Sequence, residues 1–349
     1  MWHHGFILGK FYPPHNGHLH LIREAKKLCD RLTVLLAALP TETIPGILRY
    51  ECLQNLVNDP KIRVLFIENE NPQYPEEHSN FWMIWKQTIE SAVKEKIDVV
   101  FTSENYGEPL SKVLSAEHVC VDLERQTFPI SATKIRNEPS QYWNFIPALL
   151  KPFFLKRIVL TGTESVGKST LSQILAKHFQ TLCIPEFART YLDEKGRYVI
   201  YEDILEIGKG HLISEIQAAQ SANRILFLDT DHITTKIYSE HYFQNCPEPI
   251  RKLAHGLHYD HSLFLDIDVP WVEDPQRDLG DLREVMKQKF LEEMKLRNRS
   301  FTLVQGNFKE REKQAISIVE RILKEPFQPD YFTIEQRNLR NPQLIFSIE

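Results

Sequence analysis

Short apolar runs alternate along this chain with longer stretches in which apolar residues recur every three or four positions. In the first half the runs fall at residues 5–11, 32–39, 63–67, 98–103 and 118–123. They are strand-length and apolar, and read as buried strands. Between them, residues 18–29, 48–57, 81–94 and 109–114 carry the helical period. The second half repeats the style without repeating the sequence. Strands are predicted at 157–161, 225–229, 262–267 and 301–305, and helices at 203–223, 282–296 and 310–323. Strands separated by helices at this spacing predict parallel sheets with right-handed crossovers. The expected fold is α/β: two doubly wound domains in tandem, with no repeat of solenoid period.

The junction is expected at 146–156, where Pro147 and Pro152 interrupt an apolar stretch. Proline cannot donate the hydrogen bond that continues a helix or a central strand, so a short, stiff connector fits there. The first domain is thus expected at 1–150 and the second at 153–325, leaving a proline-bearing tail at 326–349 with no assigned role. A length of 349 residues suits two domains of ~100–200 residues. The net charge of −5 leaves no electrostatic footprint for nucleic acid, so direct DNA binding is not expected. No apolar segment approaches the ~18–20 residues that cross a bilayer, and the His-containing N-terminus is not a signal peptide. The five cysteines are scattered and never form C-x-x-C, which reads as reduced thiols in a cytoplasmic protein. Homo-oligomerisation is left open.

The most informative chemistry is Gly162-Thr163-Glu164-Ser165-Val166-Gly167-Lys168-Ser169-Thr170. It follows a predicted strand and opens a helical pattern, the context a G-x-x-x-x-G-K-S/T phosphate loop requires. Gly162 and Gly167 let the backbone curl so that successive N–H groups and the helix N-terminus face phosphate. Lys168 then reaches the β- and γ-phosphates of ATP, and the Ser169 hydroxyl is placed for Mg²⁺. Beyond it, Ile184-Pro185-Glu186-Phe187-Ala188-Arg189 follows a short apolar run and puts Glu186 at a strand end, where an acceptor hydroxyl belongs. Asp229 closes the strand Leu226-Phe227-Leu228-Asp229, the position from which an acid binds Mg²⁺ directly or through water. Asp231 either meets a substrate hydroxyl or is a satisfied turn aspartate. The charged segment 271–280 is either solvated loop or a lid that brings Arg277 over the transferring phosphoryl group.

The N-terminal turn carries Gly9-Lys10-Phe11-Tyr12-Pro13-Pro14-His15-Asn16-Gly17-His18. It lies between the first strand and the first helix, at the strand end where ligands bind in open α/β sheets. His15 and His18 can both face a phosphate there, Gly17 leaves room for backbone approach, and Lys10 adds charge. A second segment, Ile130-Ser131-Ala132-Thr133-Lys134-Ile135-Arg136, sets hydroxyls and cations at a helix start, which suits polyphosphate. Ser131 also has the makings of a helix cap.

The pair H-x-G-H and I-S-x-T-x-x-R resembles the HIGH-type nucleotidyltransferases, and within them the nicotinamide-mononucleotide adenylyltransferases. Ser103-Glu104-Asn105-Tyr106-Gly107 and Asp122-Leu123-Glu124-Arg125 are similar to that family's pattern too. The resemblance implies a Rossmann-like domain performing in-line transfer: the 5′-phosphate of nicotinamide mononucleotide (NMN) attacks the α-phosphorus of ATP, giving NAD and pyrophosphate. It places His15 and His18 on the phosphates, with Lys10, Ser131, Thr133 and Arg136 holding the leaving group. Trp82 or Trp85 then stacks on the nicotinamide ring, unless both are core. The second half resembles the ribosylnicotinamide kinase domain of the bifunctional NadR family through T-G-T-E-S-x-G-K-S-T, P-E-F-A-R, L-D-T-D and W-V-x-D-x-x-R. Arg189 and Asp231 are its candidate substrate contacts. Together the halves imply phosphorylation of nicotinamide riboside to NMN and its adenylylation to NAD, with ATP and Mg²⁺ as cofactors. Family members with a helix-turn-helix domain carry it ahead of the transferase; the first strand at Gly5 leaves no such module, so a repressor role is not expected. Two rival readings remain at this point. One is a pantetheine-phosphate adenylyltransferase fused to a dephospho-coenzyme A kinase, and the other is a nucleotide-sensing regulator.

Overall fold

The computed structural model describes residues 1–124 and 126–346, and Arg125 of the Asp122–Arg125 motif lies outside them. The chain divides into two compact units, Met1–Leu150 and Lys151–Glu349. Each is built on one parallel sheet with helices on both faces.

In the first unit the elements run β1 (Trp2–Gly9), α1 (Asn16–Leu28), β2 (Cys29–Ala38), α2 (Gly46–Leu56), β3 (Ile62–Glu68), α3 (Phe81–Val93), β4 (Val99–Thr102), α4 (Gly107–Leu114), β5 (Glu117–Cys120) and α5 (Ala132–Asn137). The sheet order is β3-β2-β1-β4-β5, all parallel. Alternation along each strand splits the core in two. Ile7, Val34, Leu36, Val99 and Phe101 join Leu21, Ile22 and Ala25 of α1 and Leu53 of α2. The intervening Phe6, Leu35, Ala37 and Val100 join Phe81, Trp85, Ile89 and Val93 of α3 and Leu110 of α4. Burial on both faces explains why consecutive positions such as 34–38 and 99–101 are apolar. The first strand ends earlier than the sequence predicts, because Phe11 turns to a left-handed φ of 47° and leads the chain off the sheet.

The second unit contains α6 (Lys151–Phe154), β6 (Lys156–Thr161), α7 (Lys168–His178), β7 (Leu182–Ile184), α8 (Phe187–Lys195), α9 (Tyr201–Ala219), β8 (Ile225–Asp229), α10 (His232–Phe243), α11 (Glu248–Gly256), β9 (His261–Leu265), α12 (Arg283–Leu296), β10 (Phe301–Val304), α13 (Phe308–Ile322), α14 (Ile334–Leu339) and α15 (Pro342–Ile345). Its parallel sheet has the order β10-β9-β6-β8-β7. One face packs Ile158, Leu160, Phe227 and Leu263 against α7 and α13, and on the other Phe264 meets α10 and α12. The connector bearing Pro147 and Pro152 is helical, with Pro152 in the first turn of α6, where its missing N–H has no helical partner to lose.

α8, α10 and α11 were not predicted. α10 buries His232, Ile233, Thr234, Lys236, Ile237 and Ser239, so its contacts wrap around the helix and leave no clear apolar stripe. The tail packs into the second unit. Phe327 and Phe332 cluster with Phe153 and Phe154 of α6. Lys156 donates to Pro326 O at 2.8 Å. Arg340, just past α14, pairs with Glu215 of α9 at 3.0 Å.

Candidate active sites

In the first unit β1 leads into α1 where the strand order reverses, the switch point at which an open sheet leaves a crevice. His15 is the N-cap of α1. Its Nδ1 accepts the N–H of His18 at 3.3 Å, while His18 Nδ1 accepts the N–H of His15 at 3.2 Å. This reciprocal cap stacks the rings at 3.7 Å between centroids and leaves the ring proton of each on Nε2, a donor suited to phosphate oxygen. Gly17 suits this packing, since a Cβ there would stand close, at 3.0 Å from the His15 ring and 3.3 Å from Ile130.

Two guanidinium groups converge on Tyr12, and of them only Arg136 was predicted at this site. The Arg136 guanidinium lies 4.4 Å from the Tyr12 ring centroid and that of Arg49 lies 5.0 Å from it. Arg136 donates to Tyr12 O and, at 3.1 Å, to Thr133 Oγ1. Lys10 pairs with Glu42 at 3.3 Å, and Glu42 also holds the fully buried Arg49 at 2.6 Å. Arg49 in turn donates to Lys10 O at 2.7 Å. Glu42, Arg49 and Tyr12 were missed by sequence reasoning, because they lie apart in the chain and only β1–β2 pairing brings them together. Ser131 caps α5, accepting from Lys134 N at 3.3 Å. Trp85 is core, its indole N–H donating to Pro72 O at 2.9 Å. Trp82 is half-buried, edge-on to Phe81, in the first turn of α3 beyond the end of β3.

In the second unit the phosphate loop follows β6, between β8 and β9. Gly162 has φ 131°, and a Cβ there would strike Leu265 O at 2.7 Å; Gly167 has φ 88° and caps α7. Lys168 Nζ donates to Gly162 O at 3.1 Å and Thr163 O at 2.7 Å, carbonyls of the loop itself. Ser169 and Thr170 are exposed. A cavity of about 990 Å³ opens beside the loop, lined among others by Lys168, Glu186, Arg189, Tyr238 and Arg277. Burial raises the Glu186 carboxyl above its ordinary range, Lys168 pulls it back, and Asp229 pushes it further up. Asp229 is buried at the end of β8 and neither carboxylate oxygen has a partner. Thr230 after it is held at φ 77°, unusual for a β-branched residue, by its N–H on Leu160 O at 3.0 Å.

Two candidates take other places. Asp231 is the N-cap of α10, its Oδ1 accepting from Ile233 N at 3.1 Å and Thr234 N at 3.2 Å, so the turn-aspartate alternative is the one observed. Arg189 lines the cavity but is ion-paired with Asp274. Segment 271–280 is docked on the loop: Val272 N donates to Ser165 Oγ at 2.8 Å and Leu279 N to Glu164 at 3.4 Å. Arg277 donates to Val272 O at 2.9 Å. Glu164, a variable position of the loop motif, was missed; burial pushes its carboxyl up to about 7. No helix among the described residues is long and apolar enough to cross a membrane.

Residues 6–138 match the cytidylyltransferase-like family and residues 157–311 the AAA domain family. The chain is 33% identical over 300 residues to the trifunctional NAD biosynthesis/regulator protein NadR of Escherichia coli (strain K12), covering 79% of this chain and 72% of that protein. It is 30% identical over 348 residues to the Salmonella typhimurium protein of the same name, covering 92% and 83%. The chain belongs to the NadR family. Two crystal structures of NadR proteins share the fold over 94% of this chain and 98% of theirs. The one in complex with NR has a TM-score of 0.74 at 18% identity. The one in complex with NAD and AMP-PNP has 0.75 at 20%. In this chain the H-x-G-H turn follows the central strand of one sheet and the phosphate loop follows the central strand of the other.

Proposed function

We propose that this chain makes NAD in two ATP-dependent steps, one in each unit. The second unit phosphorylates nicotinamide riboside to NMN. The first transfers the adenylyl group of ATP to NMN, giving NAD and pyrophosphate. The observation that carries this reading is an H-x-G-H turn after the central strand of one sheet and a phosphate loop after the central strand of the other, in one NadR-family chain.

In the second unit the 5′-hydroxyl of the riboside attacks the γ-phosphorus of ATP and ADP leaves. Glu186, half-buried and in the field of Lys168, Asp229, Arg189 and Arg277, takes the hydroxyl proton. Lys168 exchanges its loop carbonyls for β- and γ-phosphate oxygens. The unpartnered carboxylate of Asp229 and the exposed hydroxyl of Ser169 fit Mg²⁺, which supplies charge stabilisation on the phosphates when bound. Segment 271–280 holds Arg277 at the cavity and keeps water from the phosphoryl group.

In the first unit the NMN phosphate is already anionic, so no protein nucleophile is required. His15 and His18 donate from Nε2 to phosphate, with His18 at the α-phosphate, where charge develops in the transition state. Lys10, Thr133, Arg136 and the Ser131 hydroxyl receive pyrophosphate, and Trp82 offers a face for the nicotinamide ring. The net charge of −5 and the free cysteines support small-molecule chemistry in the cytoplasm rather than a DNA partner.

Incubation with nicotinamide riboside, ATP and Mg²⁺, followed by chromatography of the nucleotides, tests the reading. NMN, ADP, NAD and pyrophosphate are expected, with neither transfer when Mg²⁺ is chelated. Formation of NMN without NAD, or of neither, overturns it.

A further inference from the structure

One polar group on the wall of the kinase cavity has no partner. α9 turns Ile204, Ile207 and His211 toward the cavity, three positions on one helical face. His211 is 3% exposed, and its Nε2 makes no hydrogen bond. Leaving a buried polar nitrogen unpaired is unfavourable, and a ligand group that bonds it relieves that cost. Burial also pushes the imidazole pKa down, against the opposing pull of Glu215, Asp231 and Asp229, so the ring is neutral.

The surroundings suit a flat aromatic base. The Phe187 ring lies directly on Gly210, where a Cβ would meet ring atoms at 2.1 Å, so an aromatic face sits beside His211. Tyr238 and Tyr242 of α10 line the same cavity, and Ile204 and Ile207 continue the apolar wall. Thr230, Thr234 and Thr235 line the cavity as well, so this part of the wall is aromatic and aliphatic with a few polar groups, the composition with which pockets orient an aromatic ligand. A neutral imidazole is matched by a neutral group able to donate or accept.

Resting on the riboside kinase reading, we infer that His211 Nε2 hydrogen-bonds the carboxamide of the pyridine base and so determines which ribosides this unit phosphorylates. The bond forms in both ground and transition states, so its loss raises KM more than it lowers kcat.

The test is steady-state kinetics of the full chain with nicotinamide riboside and with the unsubstituted pyridine riboside, which lacks the carboxamide. The parent is expected to prefer nicotinamide riboside by ~10–100-fold in kcat/KM, chiefly through KM. His211→Leu should compress that preference to under ~3-fold by losing rate on nicotinamide riboside alone, with KM for ATP unchanged. His211→Gln, which keeps a hydrogen-bonding group, should restore most of it. Equal slowing of both ribosides by His211→Leu makes the residue a packing element and overturns the inference. So does a preference that survives His211→Leu, or one that His211→Gln fails to restore. A parent that phosphorylates neither riboside overturns the kinase reading itself, a result visible before any variant is made.

Discussion

At the scale of single residues, several side chains carry more than one task, and substitutions separate them. His18 is a candidate phosphate donor and also half of the reciprocal cap that starts α1. His18→Ala is expected to lower kcat for adenylyl transfer by ~10²–10³, with a smaller change in KM for ATP, because its contact strengthens as charge develops on the α-phosphate. The same substitution removes the cap partner of His15 and should cost the first unit ~1 kcal/mol, read from its denaturant midpoint. An unchanged kcat with only the stability loss would reduce His18 to a cap. Glu164 gives a pH signature. Burial raises its carboxyl from the ordinary 4.5 to about 7, so folding favours the protonated form. Its contribution to stability is complete below about pH 4.5 and is lost as the pH rises through about 7. Glu164→Gln should flatten the fall in melting temperature of the second unit between about pH 4.5 and about pH 7, measured by calorimetry. A fall as steep as the parent's would assign the pH dependence elsewhere.

At the scale of elements, the tail is the clearest case of a segment whose place is fixed by buried charge. Glu215 on α9 is fully buried and receives Arg157 of β6, Arg340 of the tail and the Tyr259 hydroxyl, at 3.0, 3.0 and 2.9 Å. Arg340 also donates to His258 O at 2.7 Å and to Gln336 at 2.7 Å. Those arginines hold the Glu215 carboxyl down at about 2, against the opposing push of its own burial. Removing one partner of such a cluster leaves buried charge under-compensated, which costs ~3–5 kcal/mol. Arg340→Leu is therefore expected to lower the melting transition of the second unit and its kinase activity at elevated temperature. Adenylyl transfer from added NMN should be unaffected. A variant that melts like the parent would make the tail a passive cover.

At the scale of the whole molecule, the two sites lie in separately cored units, and each sheet packs its own helices. Lys168→Ala should abolish riboside phosphorylation, since no other cation of the loop can span the β- and γ-phosphates. Adenylyl transfer from added NMN should stay within ~2-fold of the parent, as ΔΔG values at distant sites without shared partners are independent. Loss of both activities in a folded protein would overturn the assignment of one transfer to each unit.

Much of this was legible in the residues themselves. Apolar runs spaced by helical periods define parallel strands, since strands buried on both faces carry continuous apolar stretches; residues 34–38 of β2 and 225–228 of β8 are of this kind. The phosphate loop and the H-x-G-H turn are local: their backbone geometry needs glycine at particular positions, and the residues that act lie within a few places of one another. α10 was not legible, because a helix with contacts on most sides has no stripe to show. Nor were Glu42, Arg49 and Tyr12, or the clasp of Arg340 on Glu215, whose members are 125 residues apart. Asp231 shows the limit most plainly. In sequence, an acid two places beyond a strand-ending acid suits a substrate hydroxyl, with a satisfied turn aspartate as the alternative. Two backbone N–H groups of α10, once that helix is packed, decide for the cap.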